Sequence, residues 1–220
     1  AVRVATSMLK SWRKRCRRGE ADPGRPPMAR KLFMRLDEQI ARFRGDSLVD
    51  VVCSDALSTP VPRVDGVVSN VPYAISSRLL LKLLREPSYR VAVLTLQREF
   101  ALRLVARPGT AQYGRISVIT QLYSEVEVVG SVSRRAFYPQ PEVDSLVIRL
   151  RPRMENREFF RDVEKLTAIL FSQRRRKLAK VVRGAGLYSP ALEGVVDLEK
   201  RVYKLTPREV LSLAIALREL

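Results

Sequence analysis

The stretch Val64-Asp65-Gly66-Val67-Val68-Ser69-Asn70-Val71-Pro72-Tyr73, followed by Ala74-Ile75-Ser76-Ser77-Arg78-Leu79-Leu80-Leu81-Lys82-Leu83-Leu84, decides the fold. Its first part is apolar and β-branched, which reads as a strand. From Ala74 the apolar spacing and unbranched leucines read as a helix. Asn70-Val71-Pro72-Tyr73 therefore falls at the carboxyl end of a strand, the place where open α/β sheets bind ligands. Downstream, the apolar run 91–96 predicts another strand, leading into a helix over 97–106 that Pro108-Gly109 ends. Strands alternating with helices at this spacing predict a parallel, doubly wound sheet.

The tetrad suits a narrow chemistry. An Asn carbonyl, and a backbone carbonyl held stiff by the neighbouring proline, can both accept from an exocyclic NH2 group while an aromatic ring stacks on the base carrying it. That suits methyl transfer to an amino nitrogen. Two acceptors localise a lone pair otherwise conjugated into the ring, and close positioning against a methyl donor does most of the rest. Asn, Pro and Tyr also make ordinary turns, so the tetrad alone leaves a simple turn open.

Upstream, 48–53 reads as a buried strand ending in Ser54-Asp55-Ala56-Leu57. Asp55 is placed either to accept from a ligand amine or to cap a turn. Residues 28–43 predict a helix with Leu32, Leu36, Ile40 and Phe43 on one face. Before it, Trp12-Arg13-Lys14-Arg15-Cys16-Arg17-Arg18 is a dense basic run and Pro23-Gly24-Arg25-Pro26-Pro27 a breaker-rich loop. Residues 1–31 thus read as a basic irregular segment, either an RNA-contacting arm or a solvated tail.

Beyond the second helix, Gly109-Thr110-Ala111-Gln112-Tyr113-Gly114-Arg115 is a loop leading into a helix over 116–123. Strands follow over 126–132 and 145–150. Between them lies Ala136-Phe137-Tyr138-Pro139-Gln140-Pro141-Glu142-Val143-Asp144, too rich in proline for a helix or central strand. From about Met154 the character changes. An amphipathic helix over 158–171 continues as a basic helix over 173–183, and Thr206-Pro207-Arg208-Glu209 is a helix start with Thr as N-cap and Glu three residues on.

A hydrophobic fraction of 46% over 220 residues supports a real core, and a formal charge of +18 implies a polyanionic partner, nucleic acid first and an acidic membrane surface second. No apolar run reaches membrane-spanning length and no apolar signal core is visible, so the expectation is a soluble cytoplasmic protein without a membrane partner. Histidine is absent, which removes the commonest general base and zinc ligand. Cys16 and Cys53, the only cysteines, lack metal-ligand spacing, and no metal site is expected.

Taken in order, several stretches resemble the ribosomal RNA adenine N6,N6-dimethyltransferases, which modify adjacent adenosines of small-subunit rRNA. They are Asp55-Ala56, residues 70–77, residues 97–106, Tyr113-Gly114-Arg115-Ile116-Ser117-Val118, residues 136–145 and Phe171-Ser172-Gln173-Arg174-Arg175-Arg176-Lys177. The resemblance implies a doubly wound, Rossmann-like methyltransferase α/β sheet over residues 32–153 and a small all-helical lobe gripping rRNA over 154–220.

Position by position, the resemblance implies that Asn70 and the Pro72 region hold the target amino group, that Tyr73 stacks on the flipped base and that Phe137 closes its other face. A phenylalanine in such a loop can also be a core plug. Asp55, with Ala56 beside it, would bind the adenine of S-adenosylmethionine, and Asn70 also borders the cofactor. Arg115, Arg174, Arg175, Arg176, Lys177 and Lys180 are the candidate phosphate contacts, against the alternative of a solvated helix face. The implied partner is small-subunit rRNA in a 30S-type precursor, met by a monomer.

The pattern departs from the family at its amino end. The family's Gly-rich turn is not recognisable before Asp37, and Arg35 falls where the ribose-binding acid belongs, with Asp37 and Glu38 nearby as substitutes. Three explanations stand: a degenerate paralogue, an altered N-terminal sequence, or an unusual loop serving for the glycine turn. Two functions follow: an rRNA adenine dimethyltransferase, or a non-catalytic rRNA-binding assembly factor on the same fold.

Overall fold

The structure, a computed structural model, describes residues 2–3, 54–138 and 140–219. The segment before residue 54, with the helix predicted over 28–43, the strand over 48–53, Asp37 and both cysteines, lies outside the described residues apart from Val2–Arg3. Val61–Leu220 belong to one compact unit, and a second unit spans Arg3–Pro60.

The sheet has the order β1-β2-β3-β5-β4, β1 being the two-residue strand Val2–Arg3. β2 is Val64–Asn70, whose inward positions Val67 and Ser69 are buried while Val68 and Asn70 are exposed. It runs parallel to β3, Tyr89–Gln97, with Gly66 opposite Val91 and Asn70 opposite Thr95. The crossover is α1, Ser76–Arg85, which buries Leu79, Leu80, Leu83 and Leu84 on one stripe. Its entry, Tyr73–Ile75, is a tight 3-10 turn, because the Pro72 carbonyl accepts the Ile75 N–H at 3.0 Å and the Ser76 hydroxyl at 3.3 Å.

α2, Arg98–Leu104, ends earlier than the sequence predicts. Carbonyls at its end are taken from outside the helix. Gln121 Nε2 donates to the Leu104 and Ala106 carbonyls at 3.0 and 2.8 Å, and the Ser117 hydroxyl donates to that of Arg103. α3, Arg115–Tyr123, then leads into β4, Ser124–Val132.

β5, Ser145–Pro152, inserts between β3 and β4 and is antiparallel to both. Of the described strand pairs, only β2–β3 has the parallel direction expected from the alternation of strands and helices. The reason is the connection: a parallel neighbour needs a helical crossover, whereas the β4–β5 link carries only a 3-10 turn, Arg134–Ala136, and prolines.

The helical part comprises α4, Phe160–Ser172, α5, Leu178–Gly184, and α6, Pro207–Glu219. The capping box opening α6 is formed: Glu209 N–H donates to Thr206 Oγ1 at 3.2 Å, and Thr206 N–H donates to Glu209 Oε2 at 2.8 Å. The basic helix predicted over 173–183 is reduced to α5. Residues 174–176 give their carbonyls to a neighbouring segment instead of to helical amides: Tyr203 N–H donates to Arg174, Val202 N–H to Arg176 and Arg201 Nη1 to Arg175, at 2.9, 3.0 and 2.9 Å.

These helices are fastened to the sheet layer by named bonds. The Gly109 N–H donates to the Tyr203 carbonyl at 2.8 Å, and the rings of Tyr113 and Phe171 meet edge-on at 5.8 Å. Arg85 grips Glu164 of α4 through both carboxylate oxygens at 3.0 and 2.8 Å, and Arg115 reaches the same carboxylate at 3.5 Å.

Candidate active site

The β2 ladder continues one residue past the strand, because the Val71 N–H donates to the Thr95 carbonyl at 3.2 Å. Pro72 follows with φ −58° and ψ 130°, so the chain leaves the sheet extended before turning into the 3-10 segment. A residue preceding proline is itself held extended. The Val71 carbonyl is thereby fixed in direction, and among the described residues no donor reaches it. Asn70, immediately before it, is exposed, with no side-chain partner among the described residues. Two hydrogen-bond acceptors thus stand at adjacent positions at the carboxyl end of a parallel strand.

Tyr73 is half-buried, and its hydroxyl shares a 3.0 Å hydrogen bond with Oγ of Ser145, a residue with no exposed surface at the start of β5. The preceding residue, Asp144, holds two other segments. Its carbonyl accepts the Arg98 N–H at 3.0 Å, fixing the start of α2, and its Oδ1 accepts the Arg134 N–H at 2.9 Å. Arg134 in turn gives its carbonyl to the Phe137 N–H at 3.3 Å and donates Nη1 to the Glu142 carbonyl at 3.0 Å. Phe137 is half-buried, Tyr138 beside it is 73% exposed, and Pro139 lies outside the described residues. Asn70, Pro72, Tyr73 and the Phe137 loop are therefore joined through β3 and the first residue of β5.

Sequence reasoning quoted Asp144 and Ser145 without assigning either a role. A signal was available: a polar pair between a proline-rich loop and an apolar strand, where a bare turn would need no serine hydroxyl facing inward.

Asp55, in the other unit, is half-buried and caps a turn: its Oδ1 accepts the Leu57 N–H at 3.1 Å and its carbonyl accepts the N–H groups of Ser58 and Thr59 at 3.1 and 2.9 Å. The capping reading is thus realised with one carboxylate oxygen. The second oxygen has no partner among the described residues and can accept from an incoming amine, so this acceptor suits the amino group on the adenine edge of S-adenosylmethionine. Ala56 beside it is buried.

The candidate phosphate contacts separate into two kinds. Arg174 donates Nη1 and Nη2 to the Ala111 and Thr110 carbonyls at 2.9 and 3.1 Å and lies over the Tyr203 ring. Arg115 is paired with Glu164, and Lys177 with Glu199. Arg175, Arg176 and Lys180 are exposed.

A family model described as ribosomal RNA adenine dimethylase matches residues 28–219. The chain belongs to that family. Within it, the chain is similar to the "probable ribosomal RNA small subunit methyltransferase A" of Pyrobaculum islandicum, 40% identical over 206 residues that cover 88% of this chain and 81% of the relative. The protein of the same name from Methanothermobacter thermautotrophicus is 38% identical over 191 residues, covering 81% and 69%. Among solved structures, a dimethyladenosine transferase from Plasmodium falciparum superposes with a TM-score of 0.72 at 28% identity, covering 83% of this chain and 77% of that one. The 23S rRNA methyltransferase ErmE superposes at 0.59 and 27%, covering 84% and 78%. The family is one of methyltransferase enzymes with a Rossmann-like α/β fold, as the sequence resemblance implied. A second model, of the uncharacterised protein MJ0013 family, matches residues 1–50 and overlaps the dimethylase match from residue 28. Among the described residues no helix is long and apolar enough to cross a membrane.

Proposed function

We propose that this chain dimethylates the N6 amino group of adenosine in small-subunit rRNA, using S-adenosylmethionine. The observation that carries the reading is the pair of unpartnered acceptors, Asn70 Oδ1 and the Val71 carbonyl, beside the stiffened Pro72 and the Tyr73 ring. An adenine amino group has two N–H donors in one plane, and two acceptors at adjacent positions match it. Both contacts draw the nitrogen lone pair out of conjugation, and both are strongest as positive charge develops on that nitrogen.

Reaching these acceptors requires the adenosine to leave its stack, with unstacking offset by new contacts on the two ring faces. Tyr73 supplies one face and Phe137 the other. S-adenosylmethionine supplies the methyl group; Asp55 receives its adenine amino group, with Ala56 alongside. A singly methylated amine still offers one N–H, so one of the two acceptors serves a second transfer. Exposed Arg175, Arg176 and Lys180 are the phosphate contacts, while Arg115 and Arg174 hold the scaffold that presents them. The setting this reading implies is a monomer modifying a 30S-type precursor in the cytoplasm during ribosome biogenesis.

The test is to incubate the protein with small-subunit particles and labelled S-adenosylmethionine, then identify modified nucleosides by mass spectrometry. N6,N6-dimethyladenosine from the wild type, and a loss of at least about a hundredfold in Asn70→Ala with RNA affinity within a few fold, is the expected result. RNA binding without any methylated adenosine would leave the chain an rRNA-binding protein and overturn the reading.

A further inference from the structure

Apart from the acceptor atoms themselves, the most connected point near the Tyr73 ring is the dipeptide Asp144-Ser145. Ser145 Oγ has no exposed surface around it and its side chain is bonded to Tyr73, while its backbone lies opposite Gln97 at the end of β3. The Asp144 carbonyl and carboxylate hold the starts of α2 and of the 3-10 turn that ends at Phe137. One strand end therefore bonds the Tyr73 side chain through a hydroxyl and, through a carboxylate, the backbone turn that leads to Phe137.

A half-buried tyrosine tethered at its hydroxyl keeps its ring in place, whereas an untethered ring must be ordered at each encounter with the base. The bond spans 72 residues of chain, so it is a tertiary tether and not a local turn. From this geometry we infer that Asp144 and Ser145 are positioning residues for base capture, fixing where the Tyr73 ring lies and the backbone turn that carries Phe137 before the adenosine arrives. The inference rests on the acceptor-site reading above and assigns no contact with substrate to either residue.

The prediction concerns rate more than affinity. Phosphate contacts far from the ring dominate RNA binding, so loosening the ring leaves KM within about twofold and lowers kcat by about tenfold. Tyr73→Phe and Ser145→Ala remove the same bond from its two ends, and Tyr73→Phe does so without opening a cavity in the strand. Each is expected to show the tenfold loss, and the double variant should be no slower than the slower single one by more than about twofold, since the bond can be lost once. A substrate carrying 2-aminopurine at the target adenosine reports stacking directly. Its emission should be quenched on binding the wild type and less quenched on binding either variant. Asp144→Asn, which keeps an oxygen for the Arg134 N–H, should retain activity within about twofold, and Asp144→Ala should not.

Multiplicative losses in the double variant, a full rate in Tyr73→Phe, or equal losses in the two Asp144 variants would overturn the inference. The acceptor-site reading fails separately, by a silent wild type or an active Asn70→Ala. Wild-type turnover, a dead Asn70→Ala and an unaffected Tyr73→Phe would remove the tether alone.

Discussion

The Tyr113 hydroxyl donates to the Leu205 carbonyl at 2.7 Å across 92 residues of chain. The ring has no exposed surface, and burial pushes its pKa upward, reinforced by the charge of Glu209. An aromatic in a Gly-flanked loop of an RNA-modifying protein invites a stacking role. Here it is a bolt between the loop before α3 and the chain entering α6. Tyr113→Phe leaves the ring packing intact but orphans a buried carbonyl, so it should lower stability by about 1–3 kcal/mol. Denaturant melts check this, and unchanged RNA affinity is expected after correction for the folded fraction.

Arg174 and its neighbours Arg175 and Arg176 should behave differently although they are adjacent. Arg174→Ala removes two charge-assisted bonds to the Thr110 and Ala111 carbonyls and should destabilise by about 2 kcal/mol, with little change in the salt dependence of RNA binding. Arg175→Ala and Arg176→Ala should leave stability within about 0.5 kcal/mol and each reduce the slope of log affinity against log salt by about 0.7–0.9. Filter binding over a salt series separates the two kinds, and an unchanged slope in both exposed variants would place the RNA path elsewhere.

This contrast shows what the sequence could and could not supply. The strand at Val64, the turn at Pro72 and the leucine stripe of α1 are local consequences of β-branching, proline stiffness and helical spacing, so they were legible. The capping box at Thr206 was legible for the same reason. Residues 173–177 were misread as helix because the carbonyls of residues 174–176 bond to residues 201–203, a long-range choice that no window of local sequence contains. The inserted, antiparallel β5 depends likewise on pairing with β3, some fifty residues away in sequence. Within the site, Asn70 and Tyr73 announced themselves by residue type, whereas Ser145 is an ordinary serine until its partner is known.

Arg157 supports a prediction on the seam between sheet and helices. Its guanidinium donates to the carbonyls of Arg153 at 2.6 Å, Tyr123 at 2.9 Å and Leu84, and lies over the Tyr123 ring at 5.3 Å. Burial lowers its pKa, opposed by Tyr89 and Tyr123. Arg157→Met keeps much of the apolar stem but leaves the Leu84 carbonyl at the end of α1 unpaired and the Tyr123 carbonyl with the Arg153 N–H alone, so a loss of about 1–3 kcal/mol is expected. Arg157→Lys should recover only part of it, since an ammonium cannot span the same carbonyls. Thermal unfolding of both variants decides the matter.

The last prediction is a pH dependence set by Glu209. Burial pushes its carboxyl upward, but hydrogen bonds from Lys200 Nζ, the Thr206 N–H and the Thr206 hydroxyl, with the charge of Lys200, outweigh it and hold the folded pKa below the ordinary glutamate value. A depressed carboxyl contributes stability that is complete above its unfolded pKa, about 4.3, and is lost as pH falls through the lower folded value. The wild type should therefore lose stability on acidification from about pH 5 downward more steeply than Glu209→Gln. At pH 7 the variant should be weaker by about 1 kcal/mol, the usual worth of a helix cap, and the two curves should converge once pH has fallen through the folded value. Parallel curves at all pH values would mean that Glu209 acts by its shape and not by its charge.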